Sequence, residues 1–278
     1  MVVTGANSGI GREAAAALAR AGAQITLAVR DEAKGQAAAA AMSGTVEVRR
    51  LDLADLASVR AFADGWEGHL DVLVDNAGVM ATPEQRTVDG FELQIGTNHL
   101  GHFALTNLLL SRLTNRVVVV SSSAHRMGHV DLDDLNWERR RYRPWPAYSQ
   151  SKLANLLFVR ELQRRLEAAG SPLRAVAAHP GYAATDLQRK TGSRFASAGM
   201  VLLNRLVAQS AAAGALPTLY AAVEDIPGRS YVGPGGWMEQ RGSPKLVAPS
   251  AAAAADDTAL RLWELSERLT GVGFPLGG

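Results

Sequence analysis

The feature that most constrains this chain is a rhythm. Short runs rich in β-branched residues alternate with longer stretches of helical period. Apolar runs at 2–4, 24–29, 46–51, 70–74, 116–120 and 173–178 read as strands. Helical periods fill 9–21, 31–42, 55–66, 90–113 and 147–169. The last third reads as helices at 210–223 and 257–270, with a short strand at 230–232. Strands that are apolar throughout must be covered on both faces, which implies a parallel sheet. Repeated βα units with right-handed crossovers then predict an α/β fold: a doubly wound sheet in a three-layer sandwich. No Pro/Ser-rich linker and no repeat of 20–50 residues interrupts 1–278, so one domain is expected. Two segments break the rhythm, 124–146 and 181–209, and both are expected to shape a substrate site.

Composition excludes several functions. With 29 basic and 27 acidic residues the net charge is +2, a poor balance for a nucleic-acid partner. The chain has no cysteine, so thiolate metal sites, disulfides and cysteine nucleophiles are excluded. His99/His102 and His125/His129 have spacings a metal could use, but no carboxylate completes a ligand set, so no metal is expected. There is no secretory signal pattern and no window of about 18 uncharged apolar residues. The sequence therefore points to a cytoplasmic protein without a transmembrane segment. The basic, aromatic stretch 137–145 is read as a solvated loop over a site rim. The end of the 116–120 strand lacks the glycines of a hydrolase nucleophile elbow.

Thr4-Gly5-Ala6-Asn7-Ser8-Gly9-Ile10-Gly11 follows the first strand and opens the first helix. Glycines there permit a tight turn and close backbone approach to a phosphate. The helix N-terminus offers free N–H groups and the positive end of its dipole to a pyrophosphate. About 20 residues on, Arg30-Asp31 stands where an adenosine ribose is read. A guanidinium pairs with a 2′-phosphate, so Arg30 favours NADP(H), with NAD(H) as the other choice. Asp31 reads alternatively as a helix N-cap. Tyr148 and Lys152 are one helical turn apart and share a face. An ammonium there should lower the phenol's pKa and make Tyr148 a general acid/base. Lysine is scarce here, at Lys34, Lys152, Lys190 and Lys245 only.

Taken in order, Thr4–Gly11, Asp52-Leu53, Asp75-Asn76-Ala77-Gly78, Asn98, Ser122, Tyr148/Lys152, Pro180-Gly181 and Thr185 resemble the short-chain dehydrogenase/reductase family over nearly the whole chain. The stretches at 98–103, 121–125, 148–158 and 179–181 are most similar to its retinol-dehydrogenase-like and protochlorophyllide-reductase-like branch. The resemblance implies a Rossmann-type fold. It places Gly5, Asn7, Ser8, Gly9, Ile10 and Gly11 at the pyrophosphate, Arg30 at the 2′-phosphate, and Asp52 and Leu53 at the adenine. It puts Asn76, Ala77 and Gly78 against the adenosine end, and Pro180, Gly181 and Thr185 at the carboxamide. Ser122 would bond the substrate oxygen, with Ser121 as the fallback. Tyr148 would move its proton, Lys152 would hold the nicotinamide ribose, and Asn98 would hold a water leading to Lys152. Only four residues precede Gly5, a shorter first strand than is usual in the family. Asn7-Ser8 also lacks the basic residue that some NADP-preferring members carry in this loop.

The implied activity is hydride transfer between a nicotinamide and a carbonyl or alcohol. The apolar 195–223 stretch and the branch likeness point to a lipophilic small-molecule substrate. The alternatives are reduction of an activated C=C bond, or a dinucleotide-binding sensor without turnover. The family likeness also implies a homodimer or homotetramer.

Overall fold

The computed structural model describes residues 1–181 and 210–276. One eight-stranded sheet runs through it in the order β3-β2-β1-β4-β5-β6-β7-β8. The strands are β1 Val2–Thr4, β2 Ile25–Val29, β3 Val46–Arg50, β4 Leu70–Asp75, β5 Leu113–Val120, β6 Arg174–Ala178, β7 Tyr231–Pro234 and β8 Pro244–Leu246. β1 to β7 pair in parallel, and β8 alone is antiparallel, with Gly233 opposite Lys245. The strand order reverses between β1 and β4. In open α/β sheets the crevice outside the carboxyl ends at such a switch point is where ligands bind.

Helices cover both faces. α1 (Gly9–Arg20), α2 (Glu32–Ala40) and α7 (Ala211–Val223) lie on one side, where Ala15, Leu18, Ala38 and Ala221 pack on Val3, Leu27 and Val176. α3 (Leu56–Asp64), α5 (Gly101–Leu109), α6 (Pro144–Ala168) and α8 (Asp256–Thr270) lie on the other. There Phe62, Phe103, Leu157 and Trp263 surround Leu73, Val117 and Val119. The β-branched run Val117–Val120 is buried on both faces, which is why it shows no polar alternation.

Four sequence expectations need adjusting. The helical period at 90–113 is not one helix. Glu92 caps it, its carboxylate accepting from the N–H groups of Gln94 and Ile95 at 2.9 and 2.8 Å. After α4 (Leu93–Ile95) the chain widens into a π-turn, Gly96–Leu100, before α5. β5 then begins at Leu113 rather than at 116, because Leu113 already pairs with Leu70. α6 starts at Pro144, since proline at a first helical position has no N–H to lose. The β7–β8 hairpin extends the expected strand at 230–232 and adds one the sequence did not signal.

Candidate functional site

A continuous cleft of about 2310 Å³ opens along the carboxyl ends of the strands. Of the sequence-derived site residues, Gly5, Asn7, Ser8, Gly9, Ile10, Gly11, Arg30, Asp52, Leu53, Asn76, Ala77, Gly78, Ser122, Tyr148, Lys152, Pro180 and Gly181 all line it. Thr185 lies outside the described residues, as does 182–209 of the second irregular segment.

The loop between β1 and α1 is glycine-dependent at two points. Gly5 has φ +66°, and a Cβ there would lie 2.9 Å from Ala77 Cα. A Cβ on Gly11 would lie 2.3 Å from the Asn76 amide nitrogen. That amide donates to Thr4 O at 2.8 Å, while the Asn76 and Ala77 N–H groups both reach Thr4 Oγ1 at 2.9 Å. The ends of β1 and β4 are thus stitched together directly beneath the loop. Ser8 precedes α1 with no side-chain cap, and no acidic residue stands in its first turn. The first amides of α1 therefore keep donor capacity facing the cleft, as an anion requires.

At the tip of β2, Asp31 caps α2, accepting from Lys34 N at 3.1 Å and pairing with the Lys34 ammonium. The Lys34 ammonium first, and its backbone N–H second, hold the carboxyl below the usual range. Asp31 is therefore the N-cap that the sequence offered as its alternative reading. Arg30 is left exposed on the cleft wall, with Lys34 nearby on the same wall. Arg12 turns instead to Glu13, at 2.7 Å. Asp52 bonds the N–H of Ala54 at 3.0 Å, which fixes the turn after β3.

The inner end holds the reacting-group candidates. Ser122 lies two residues past the end of β5, with its hydroxyl beside the Tyr148 phenol. Ser121 points the other way, donating to Lys152 O at 2.8 Å, as strand alternation demands. The Lys152 ammonium donates to Val120 O at 3.0 Å and lies 5.9 Å from the Tyr148 ring centre. Asn98 occupies the π-turn, and its amide donates to Val79 O and Ser151 Oγ at 2.9 Å each. Its Oδ1 accepts from Val79 N at 2.8 Å. A Cβ on Gly78 would lie 3.1 Å from Asn98 Oδ1, a tight contact, and 3.5 Å from Lys152 Nζ, an ordinary one. π-turns concentrate at functional positions because the extra residue re-aims side chains.

The electrostatics differ from the sequence expectation. Tyr148 is not pulled down by Lys152. Burial raises its pKa, and only the Ser122 bond opposes that rise. Burial also lowers Lys152 to about 8, so the ammonium has less charge to lend. The phenol is accordingly protonated at neutral pH.

His99 and His102 are held by protein partners. His99 meets Ser266 at 2.9 Å and His102 meets Thr4 at 2.9 Å. Burial lowers both to about 3, so both are neutral. The loop after β5 is folded around Asp134, which accepts from the N–H groups of Glu138 and Arg139 at 2.7 and 3.2 Å. Arg140 stacks over Trp137 at 3.8 Å. This loop is built rather than merely solvated, and its ends (Arg126, Met127, Pro144, Trp145) line the cleft. Sequence reasoning missed Met238, Glu239 and Gln240, which enter from the β7–β8 loop. The glycines at 233, 235, 236 and 242 were the available sign of a hairpin there.

Fold and cleft together define a dinucleotide-dependent oxidoreductase. The family model for short chain dehydrogenase matches residues 1–195. Retinol dehydrogenase 13 of Homo sapiens is 44% identical over 294 residues, spanning 99% of this chain and 85% of that protein. Retinol dehydrogenase 12 of Homo sapiens is 42% identical, over 98% of this chain and 86% of that one. A crystal structure of an uncharacterised protein from Mycobacterium paratuberculosis superposes with TM-score 0.87 at 58% identity, over 99% and 94% of the two chains. The chain belongs to the short-chain dehydrogenase family, in its retinol-dehydrogenase-like branch, and acts on alcohols and carbonyls with NAD(P).

Proposed function

We propose that this enzyme reduces a lipophilic aldehyde or ketone with NADPH, and runs the reverse oxidation with NADP. The observation that carries this reading is that Ser122 stands beside the Tyr148 phenol, with Lys152 one helical turn away, at the inner end of the cleft. The loop suits the cofactor because the α1 amides keep free donor capacity, while Gly5 and Gly11 let it close onto Ala77 and Asn76 beneath. NADPH, when bound, supplies the hydride.

The protein supplies the rest. Ser122 donates to the substrate oxygen and fixes its position. Tyr148 gives that oxygen a proton as negative charge develops on it. A phenol kept protonated by burial suits this direction. Lys152, charged below about pH 8, then stabilises the phenolate left behind and has donors for a ribose hydroxyl. Asn98 holds the 79–80 strand exit and Ser151 in place beside Lys152. Arg30 is the cation for a 2′-phosphate, and Lys34 supports it from the same wall.

Tyr148→Phe is expected to lower kcat by about 10³-fold or more while leaving the NADPH Kd within about threefold. Steady-state rates and fluorescence titration read the two quantities, and unchanged turnover would overturn the acid role. Arg30→Ala is expected to raise the Kd for NADPH by about tenfold or more and that for NADH by less than about twofold. Equal losses for both would remove Arg30 from the 2′-phosphate.

A further inference from the structure

The mouth of the cleft carries a second built feature. Among the described residues, Met127, Trp145 and Met238 line the cleft and yet remain 76%, 54% and 66% exposed. Each comes from a different element. Met127 ends the 3₁₀ turn Ser123–Met127 that follows Ser122. Trp145 lies in the first turn of α6 and meets the Tyr148 ring edge-on at 6.0 Å. Met238 projects from the loop between β7 and β8.

That loop is held in a conformation it would not adopt unaided. Met238 and Glu239 have φ of 50° and 56°, the left-handed region that non-glycine residues avoid. Such a conformation persists only where neighbours fix it. The Glu239 carboxylate accepts from Arg126 Nη2 at 3.0 and 3.2 Å, and its Oε2 lies 3.1 Å from His179 Nε2. His179 Nδ1 accepts from Gly181 N at 3.3 Å, so the ring proton sits on Nε2, which contacts the carboxylate without a well-directed hydrogen bond to it. His179 is fully buried and fits because residue 233 is glycine: a Cβ there would lie 2.1 Å from Nε2. Arg126 adjoins Met127, and His179 precedes Pro180-Gly181. One carboxylate thus ties three segments of the cleft wall together.

We propose that Glu239 is a positioning residue that latches the 235–243 loop onto Arg126 and His179. Met238, so held, forms with Met127 and Trp145 a jaw that grips the apolar chain of the carbonyl substrate and sets the chain length preferred. This rests on the reductase reading above. Thioethers and an indole suit the task, since they adapt to a flexible chain and offer no polar group that needs a partner inside the grip. Trp145 adjoins Tyr148 while Met127 and Met238 are largely exposed, so the jaw discriminates by what trails the carbonyl and not by the carbonyl itself.

The test uses linear aldehydes from butanal to dodecanal at saturating NADPH. For the wild type, kcat/KM should rise about threefold per added methylene until the jaw is spanned. Met238→Ala should cost about tenfold on dodecanal and less than twofold on butanal. Glu239→Gln should give the same length-dependent loss, because one of the two oxygens that accept from Arg126 becomes a donor facing it, and Arg126→Lys should lose less. A length-independent loss, or none, in both Met238→Ala and Glu239→Gln overturns the jaw. A second readout needs no turnover. Trypsin cleavage after Arg241, mapped by mass spectrometry, should be about tenfold faster in Glu239→Gln, and an unchanged rate overturns the latch. If the wild type reduces none of the aldehydes while Glu239→Gln is still cut faster, the reductase reading fails, the jaw falls with it, and the latch alone stands.

Discussion

Asp75 shows how much one buried group can impose. It ends β4, is wholly buried, and accepts from Thr106 Oγ1 at 2.8 Å through one oxygen. Its other oxygen has no partner. Burial pushes its pKa up to about 8, against the Thr106 bond, so the group is neutral at pH 7. The folded state therefore holds a proton that the unfolded chain releases near pH 4. Stability from this group is complete below about pH 4 and is lost as pH rises through about 8. Asp75→Asn keeps an acceptor for Thr106 and removes the titration. Its Tm advantage over wild type should grow by about 3 °C or more from pH 5 to pH 9 in thermal melts. Parallel pH profiles for the two proteins would show that Asp75 does not titrate in this window.

At the scale of elements, legibility followed burial. The runs at 2–4, 46–51 and 70–74 became strands within a residue because each is a fully or partly covered β-branched segment with no competing pattern. β8 was illegible: Pro244, Lys245 and Leu246 are a three-residue edge strand with a proline and a partly solvated face, so no apolar alternation marks it. The π-turn was hidden for a different reason. One extra residue in Gly96–Leu100 leaves the 90–113 helical period nearly intact, so Asn98 was found only through the family likeness. Glu239 carries no pattern, since its left-handed backbone comes from tertiary contacts and not from a glycine. The β1–α1 connection is the opposite case, with its glycines in sequence and their necessity in the packing. Gly11→Ala should lose the Asn76–Thr4 bond, because its Cβ would meet the Asn76 amide at 2.3 Å. The expected result is a Kd for NADPH raised at least about tenfold, with Tm lowered by only a few degrees. Wild-type affinity in a folded Gly11→Ala protein would show that Asn76 can move at no cost.

Across the whole molecule, the site depends on a helix far from it in sequence. α8 lays Trp263 against Phe103 of α5 at 4.9 Å and Phe158 of α6 at 5.7 Å, with Arg165 stacked 4.6 Å from its ring. The indole N–H is satisfied by Glu267 at 2.7 Å, so the large ring is buried without an orphaned donor. From the same helix, Ser266 meets His99, the neighbour of Asn98 in the π-turn. α8 thereby fastens α6, which carries Tyr148 and Lys152, to the turn that carries Asn98. Trp263→Ala would leave a cavity between the three helices and should cost about 3–5 kcal/mol. For a chain of this size that corresponds to a fall of about 10 °C in Tm by circular dichroism. The loosened α5–α6 junction should also lower kcat more than it raises KM for NADPH, because the displaced groups are those that hold Tyr148 and Lys152 in register and not those of the glycine loop. A variant whose Tm falls while kcat keeps its wild-type value would show that α8 stabilises the fold without governing the geometry of the reacting groups.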